Sequence, residues 1–154
     1  MGGAIGLHLA GSEKIFNSII TINSPVFLDF KSILLIRFSH LFNLNISMKK
    51  PSDSSYLEKW TGYTNDIPSS AFREMLKVLK AGYRSLGSIN IPVLIIQSNG
   101  DRRIPPENAE FILNRIASRT KKIKYINCRS HNIIVNRDFK NEVFGECIEF
   151  LKII

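Results

Sequence analysis

The most informative stretch of this sequence is Pro92-Val93-Leu94-Ile95-Ile96-Gln97, which is followed by the turn Ser98-Asn99-Gly100-Asp101. A short, almost entirely apolar run that is rich in β-branched residues is typical of a strand buried within a parallel sheet. A second strand is predicted over Lys122–Asn127, where apolar and polar residues alternate. Between the two strands, Pro106 suits the first turn of a helix, whose apolar face is Ala109, Ile112, Leu113 and Ile116.

The alternation of strands and helices continues in both directions. Upstream, Ser18–Ile22 predicts a further buried strand. Before it, residues 2–10 predict a helix that is apolar almost all round and therefore buried, with Gly11 after its end. Downstream, Asp138 suits the N-cap of a last helix, whose apolar face is Val143, Phe144, Cys147, Ile148 and Leu151. Strands separated by helices form right-handed βαβ units, so we expect an α/β fold with a parallel sheet of about three strands.

One segment, at about residues 27–87, interrupts this alternation. Its first part has frequent apolar residues and then a polar stretch over Met48–Ser55, which together indicate irregular helices and a loop. After Ser69-Ser70, a one-sided apolar pattern predicts an amphipathic helix that Gly87 closes. We expect the whole chain, 1–154, to form one domain that carries this segment as an insertion.

Composition excludes several classes of protein. With 44% hydrophobic and 22% charged residues over 154 positions, the chain is neither disordered nor of low complexity. The two cysteines, Cys128 and Cys147, form no CxxC pair, and we expect no metal or other cofactor. No apolar stretch approaches the roughly 20 residues of a membrane span. No basic segment precedes the first apolar run, so we expect a cytoplasmic protein without a signal peptide.

The net charge of +8 raises the question of a nucleic-acid partner. Lys and Arg together number 21, against 13 for Asp and Glu, and such an excess favours acidic partners. The basic residues are scattered, however, and the densest cluster (Arg119, Lys121, Lys122, Lys124) runs into a predicted strand. A nucleic-acid-binding module needs a concentrated basic face with interleaved aromatic residues. We therefore expect no nucleic-acid partner.

Two polar residues fall where an open parallel sheet binds its ligands, beyond the carboxyl ends of its strands. Asp101 follows the strand at 92–97, and His131 follows the strand at 122–127. If the two strands are neighbours, the carboxylate can fix the tautomer of the imidazole, as in the acid–base half of a catalytic triad. The residues alone leave a second interpretation open, that of an ordinary turn aspartate and an ordinary loop histidine.

The blocks around these two residues resemble the C-terminal portion of the α/β-hydrolase superfamily, and in particular the bacterial carboxylesterase and monoacylglycerol-lipase-like serine hydrolases. The resemblance runs from about Arg73 to Leu151. Pro92–Ala109 matches the family's strand, turn, aspartate and helix start without a gap, and Cys128–Ile133 matches its histidine block, with Ser130 where a glycine is usual. The resemblance implies an α/β-hydrolase fold, a small acyl-ester substrate, and catalytic roles for the aspartate and histidine named above.

The first residues resemble the family's nucleophile elbow, Gly-x-Ser-Met-Gly-Gly, from the residue after its serine. The resemblance implies that Met1 holds an oxyanion-hole position and that Gly2 and Gly3 are the elbow glycines. It also implies that the nucleophilic serine and the N-terminal half of the domain are missing, so we expect a truncated hydrolase domain that is inactive by itself. The serines near strand ends lie in no such elbow and are interpreted as turn or cap hydroxyls: Ser24, Ser98 and Ser130.

The resemblance also implies a cap over the active site at 27–87, whose apolar residues suit an acyl pocket. Plain packing of this segment on the sheet is the alternative. A bare edge on the Ser18–Ile22 strand would favour self-association, which leaves open a second function as a non-catalytic remnant or regulatory partner of a hydrolase. We expect His8 to be either a core histidine or one whose ring has a hydrogen-bond partner. Arg102 and Arg103 are expected to be solvated loop charges or contacts of a substrate carboxylate.

Overall fold

Three short parallel strands form the sheet on which the candidate site is built. The computed structural model describes residues 1–42, 45–47 and 66–154. In chain order its elements are α1 (Gly2–Ser12), β1 (Ile19–Ile22), α2 (Phe30–Leu41), β2 (Asn45–Ser47), β3 (Asp66–Pro68), α3 (Ser69–Ser85), a 3-10 turn (Leu86–Ser88), β4 (Val93–Ser98), α4 (Glu107–Arg115), β5 (Lys121–Ile126) and α5 (Lys140–Ile153). The sheet order is β1-β4-β5 with parallel pairing throughout, so the predicted α/β fold with about three parallel strands is confirmed. The chain forms two compact units, residues 1–28 with 78–154, and residues 29–77.

The central strand, β4, is buried along its whole length, as its sequence predicts. Its alternate residues face opposite sides of the sheet. On one side, Val93 and Ile95 share a core with residues that come mainly from α1 and α4: Leu7, Ala10, Ala109, Ile112 and Ile116. On the other side, Leu94 and Ile96 share a core with residues from β5, the following loop and α5: Ile126, Cys128, Ile133, Val143 and Phe150. Since helices cover both faces, the strand needs no polar face.

The first helix, α1, is longer and less buried than its sequence predicts. It continues to Ser12, against the prediction that Gly11 follows its end. Gly11 stays within the helix and allows a close approach, because a Cβ at this position would overlap the backbone of Ser85. The prediction of burial all round is also wrong, since Ile5 and Leu9 are exposed. Only one stripe of the helix is therefore buried.

The last helix begins after a turn built by Asn136 and not at the predicted N-cap. α5 starts at Lys140 with Phe139 as its N-cap, so the prediction of Asp138 in that position is wrong. The Asn136 carbonyl accepts the backbone N–H of Lys140, and the Asn136 side chain accepts the backbone N–H of Asp138. Asn136 thus satisfies backbone donors near the start of the helix.

The unit at 29–77 contains a helix and a small antiparallel sheet. Asp29 lies just before α2, and its carboxylate accepts hydrogen bonds from the backbone and the hydroxyl of Ser32. In place of the predicted irregular helices, α2 is a continuous helix of 12 residues. β2 and β3 pair with Ile46 opposite Ile67, and strands of three residues are too short to show an alternating pattern in the sequence. The predicted loop at 48–55 lies outside the described residues, and the role of this segment as a cap stays a prediction.

The amphipathic helix predicted after Ser69-Ser70 is confirmed as α3, which ends at Ser85, and Gly87 lies in the 3-10 turn that follows. Across the described ranges, no helix has both the length and the apolar character that a membrane crossing requires.

Candidate active site

The turns after β4 and β5 lie against each other at the carboxyl end of the sheet. The two strands are hydrogen-bonded neighbours. The backbone N–H of Gly100 donates to the Cys128 carbonyl at 3.0 Å, and a Cβ on Gly100 would lie 3.0 Å from the same oxygen. The glycine therefore lets the turns approach closely, and Asp101 comes to lie beside the chain that carries His131.

Asp101 and His131 are joined by a short hydrogen bond. Nδ1 of His131 lies 2.7 Å from Oδ2 of Asp101. The other carboxylate oxygen, Oδ1, accepts the backbone N–H of Arg103 at 2.8 Å and that of Ile104 at 3.1 Å. The Asp101 side chain is fully buried, whereas the His131 side chain is 27% exposed. The carboxylate is thus held from two sides, and the imidazole reaches the surface.

The ionisation of Asp101 determines which nitrogen of His131 carries the proton. Burial raises the pKa of this carboxyl, but the hydrogen bonds from His131 and from the backbone of Arg103 and Ile104 lower it by more, and the pKa lies below its ordinary value. Asp101 is therefore a carboxylate at neutral pH and can only accept, so Nδ1 is the donor. Nε2 has no hydrogen-bond partner among the residues that the structure describes. The neutral imidazole then offers a lone pair at Nε2, as a general base requires.

Two buried polar residues, Asn23 and Ser98, hold the backbone of His131 and of the residue before it, and neither of them was assigned this role from the sequence. Asn23 follows β1, and its Nδ2 donates to the His131 carbonyl at 2.6 Å and to the Ser98 hydroxyl at 3.1 Å. The Ser98 hydroxyl in turn donates to the Ser130 carbonyl at 2.9 Å. The one available signal was a polar residue at the end of a buried strand, and asparagine and serine are common in turns for other reasons.

The residues that resemble the nucleophile elbow lie at the amino end of α1. Met1 directly precedes the helix and Gly2 is its first residue. A Cβ on Gly3 would overlap the Ser24 hydroxyl, whereas a Cβ on Gly2 would meet nothing within 4 Å, so packing requires a glycine only at Gly3. Ser24 follows the asparagine that bonds the histidine, so the turn after β1 contacts both the start of α1 and the histidine loop. The oxyanion role of Met1 stays a prediction.

The other polar residues that the sequence singled out do not join the pair. His8 is partly buried and bonds through Nδ1 to the Ser85 hydroxyl at 2.8 Å, so the prediction of a partnered histidine is confirmed. Arg102 is exposed, and Arg103 reaches Asp101 through its backbone. In the described part of the chain, no three His, Cys, Asp or Glu side chains are grouped so that they could hold a metal ion.

A family model described as serine aminopeptidase, S33, matches residues 1–138 of this sequence. The chain belongs to this family of hydrolases. The match includes the start of α1, the turn after β1 and both members of the Asp101–His131 pair. The predicted α/β-hydrolase identity is confirmed by this match together with the solved structures that share the fold, and the esterase and lipase type stays a prediction.

Several solved lipases share the fold of this S33-family chain. A structure described for LipS and LipT, two metagenome-derived lipolytic enzymes, matches with a TM-score of 0.84 at 22% identity, over 100% of this chain and 62% of the other. The monoacylglycerol lipase of Paleococcus ferrophilus matches with a TM-score of 0.76 at 13% identity, over 97% and 64%. A soluble variant of the monoglyceride lipase of Saccharomyces cerevisiae, in complex with a substrate analog, matches with a TM-score of 0.74 at 16% identity, over 97% and 61%.

These likenesses concern the fold, because the identities are low. The chain spans 61% to 64% of the length of these three structures. A search among curated proteins found no match.

Proposed function

We propose that this chain supplies the acid–base pair of a carboxylic-ester hydrolase that acts on small acyl esters. The observation that carries this proposal is the 2.7 Å hydrogen bond from His131 to a fully buried Asp101 carboxylate. A general-base histidine needs this arrangement, because the carboxylate fixes its tautomer and its orientation. The lipases whose fold the chain shares support esters as the proposed substrate class.

In this mechanism His131 moves the proton and Asp101 keeps the imidazole in place. Nε2 accepts the hydroxyl proton of a serine while the serine oxygen attacks the acyl carbonyl carbon. The imidazolium then returns that proton to the leaving alcohol as the ester C–O bond breaks. Water attacks the acyl-enzyme with Nε2 again as the base, which releases the acid and restores the serine. The buried carboxylate stabilises the imidazolium in both halves of the cycle.

We propose as nucleophile a serine placed directly before Met1 in a longer form of the protein. No serine of this sequence lies in a Gly-x-Ser-x-Gly elbow. Ser98, which lies in the network behind the histidine, is fully buried and already donates to the Ser130 carbonyl. The contact of Gly3 with the turn after β1 supports a nucleophile at the amino end of α1. The helix dipole and the Met1 backbone N–H would stabilise an oxyanion there.

The test compares two chains in the hydrolysis of p-nitrophenyl butyrate. One is the 154-residue chain, and the other is extended upstream to include an elbow serine. We expect only the extended chain to be active, His131→Ala to abolish its activity, and the matched control His8→Ala to retain it. Hydrolysis by the short chain that depends on His131 would refute the upstream nucleophile. An extended chain that is inactive, or that is indifferent to His131→Ala, would refute the proposed function.

The free edge of β1 favours a second candidate function, that of a non-catalytic chain that pairs through its sheet. β1 is an end strand of the sheet, and in the described ranges no strand pairs with its other side. The backbone N–H groups of Ile19 and Asn23 donate towards β4, so by alternation those of Ile20 and Ile22 face the free edge. Such an edge can take up another strand. Sedimentation of the 154-residue chain tests this, and a monomer at every concentration would contradict self-association.

A further inference from the structure

We propose that Asn23 and Ser98 are positioning residues that hold the His131 backbone where the imidazole meets Asp101. This inference rests on the proposed ester hydrolysis and deepens it. Both residues act through the loop after β5 and not through the reacting atoms. The proposal therefore concerns where the general base is held.

The backbone and the side chain of Asn23 both suit this role. Its φ of 46° is the only positive value at a non-glycine position in the described part of the chain, and asparagine adopts this left-handed region more readily than most residues. The residue is 3% exposed. Its Oδ1 accepts the Ser98 backbone N–H at 2.7 Å, and its Nδ2 donates to the His131 carbonyl at 2.6 Å. One side-chain amide thus joins the ends of β1 and β4 to the loop after β5.

Ser98 extends this network by one residue. It is the last residue of β4 and is fully buried. Its hydroxyl accepts a hydrogen bond from Asn23 and donates to the Ser130 carbonyl. The carbonyls of two successive residues, Ser130 and His131, are therefore held by the same network. That network is anchored to the strand whose following turn carries Asp101.

The anchoring matters because only one side-chain hydrogen bond joins the members of the pair. His131 bonds Asp101 through Nδ1 alone, and its side chain is partly exposed. A shift of the loop would move Nε2 away from the path of the proton. A misplacement of about 1 Å costs about 10²-fold in rate. We therefore expect loss of these anchors to lower kcat with little change in KM, because neither residue is placed to touch the substrate.

The first test is Asn23→Asp in the extended chain. Aspartate has nearly the same shape and also tolerates the left-handed backbone. One of its oxygens can still accept the Ser98 N–H, but the other would face the His131 carbonyl oxygen, to which an ionised carboxylate cannot donate, so kcat is measured at a pH where the new carboxyl is ionised. We expect kcat to fall about 10²-fold, with KM nearly unchanged. An unchanged kcat in a folded variant would overturn the proposal.

Asn108 provides the matched control. It is also fully buried, its Oδ1 accepts the backbone N–H groups of Val26 and Phe27, and its Nδ2 donates to the Pro105 carbonyl. Asn108→Asp therefore removes the same kind of hydrogen bond without touching the pair. We expect it to lower the unfolding temperature and to leave kcat largely intact. Equal losses of kcat in Asn23→Asp and Asn108→Asp would show a general effect of stability and would overturn the positioning role.

Two serines form a second matched pair. The Ser98 and Ser118 hydroxyls both belong to buried residues and both donate to a backbone carbonyl, that of Ser130 and that of Thr120. We expect Ser98→Ala to lower kcat by less than Asn23→Asp does, because the Asn23 bond to the histidine carbonyl remains. Ser118→Ala should leave kcat unchanged. A loss in Ser118→Ala as large as that in Ser98→Ala would count against the proposal.

A measurement without catalysis separates this inference from the proposed function. In the 154-residue chain, the ¹³C resonance of the Asp101 carboxyl can be titrated by NMR. The hydrogen bond from His131 helps to hold the pKa of this carboxyl low. We expect Asn23→Gly, which keeps the left-handed backbone without strain, to raise that pKa towards its ordinary value, and Asn108→Gly to leave it. An unchanged pKa in Asn23→Gly would overturn the positioning role even if the extended chain is an esterase. A raised pKa would support it even if the extended chain is inactive.

Discussion

Replacing Asp101 by asparagine separates the proposed mechanism from a purely structural role of the pair. The substitution keeps the shape of the side chain and leaves one oxygen to accept the backbone N–H groups of Arg103 and Ile104, so we expect the fold to persist. The second position becomes an amide nitrogen, which can only donate. His131 must then accept at Nδ1 and carry its proton at Nε2. That tautomer cannot take a proton from a nucleophile.

In Asp101→Asn, the expected loss of transition-state stabilisation is much larger than the expected loss of folding stability, so the two can be told apart. Enforcing the wrong tautomer lowers kcat by about 10⁴-fold in a Ser-His-Asp triad. At about 1.4 kcal/mol for each tenfold change, this is roughly 5 kcal/mol of transition-state stabilisation. The cost in folding is smaller, because a hydrogen bond to a charged group is replaced by a neutral one, a difference of about 1 kcal/mol. A loss of activity through unfolding would need a far larger destabilisation.

The assay measures kcat for p-nitrophenyl butyrate with the extended chain, together with thermal unfolding of the same samples. Asp138→Asn is the matched control, because Asp138 is exposed and lies outside the pair. We expect Asp101→Asn to be folded and nearly inactive, and Asp138→Asn to resemble the parent in both measurements. If folded Asp101→Asn retains activity within tenfold of the parent, then Asp101 does not orient the base.

Three further predictions concern stability. The folded state holds the pKa of Asp101 below its unfolded value, so the ionised carboxylate contributes to the free energy of unfolding. This contribution is fully present above about pH 3.9 and is lost as the pH falls towards the folded-state pKa. Urea unfolding at acidic pH should therefore show that the free energy of unfolding falls more steeply with falling pH in the parent than in Asp101→Asn. Equal slopes in the two proteins would contradict this prediction. Gly82→Ala should destabilise the chain, because a Cβ there would lie 2.8 Å from the Ala4 carbonyl oxygen. In Gly145→Ala the new Cβ, within α5, meets nothing within 4 Å, and this variant should be more stable by about 0.5–1 kcal/mol. Thermal unfolding checks the sign of each change in unfolding temperature, and a change of the same sign in both variants would contradict the prediction. Leu94→Ala should cost about 2–5 kcal/mol, because Leu94 is fully buried, and a loss below about 1 kcal/mol in urea unfolding would contradict the observed core.

The elements that were predictable are those whose local pattern and burial agree. β4 is apolar in the sequence because both of its faces are covered, and α3 shows one apolar stripe because one of its sides is solvated. The errors lie at helix ends and on α1. The end of α1 depends on a contact between Gly11 and Ser85, and the start of α5 depends on two hydrogen bonds to Asn136. Such contacts join positions whose pairing no local period reveals.

The candidate site likewise contains residues whose roles were predictable from the sequence and residues whose roles were not. Asp101 and His131 were predictable as a pair on the condition that their strands are neighbours, because each lies in the turn after a strand and parallel neighbours end at the same edge of the sheet. Asn23 was not predictable as their support, because its side chain bonds residues that are 75 and 108 positions away in the sequence. Gly100 was predictable only as a turn glycine, because glycine is common in turns. Its close contact with the Cys128 carbonyl shows why this position requires a glycine.

The sequence alone was enough to predict the alternation of strands and helices, the buried strand at 92–97, and an aspartate and a histidine in the turns after two of the strands. These properties are local, since hydrophobic periodicity and turn residues act over a few positions. Three properties are visible only in the tertiary structure: the aspartate is buried and ionised, Nδ1 of the histidine is the donor, and an asparagine that follows the opposite edge strand, β1, holds the histidine backbone. These properties depend on distances and burial between segments far apart in the chain, and those are set only when the sheet assembles.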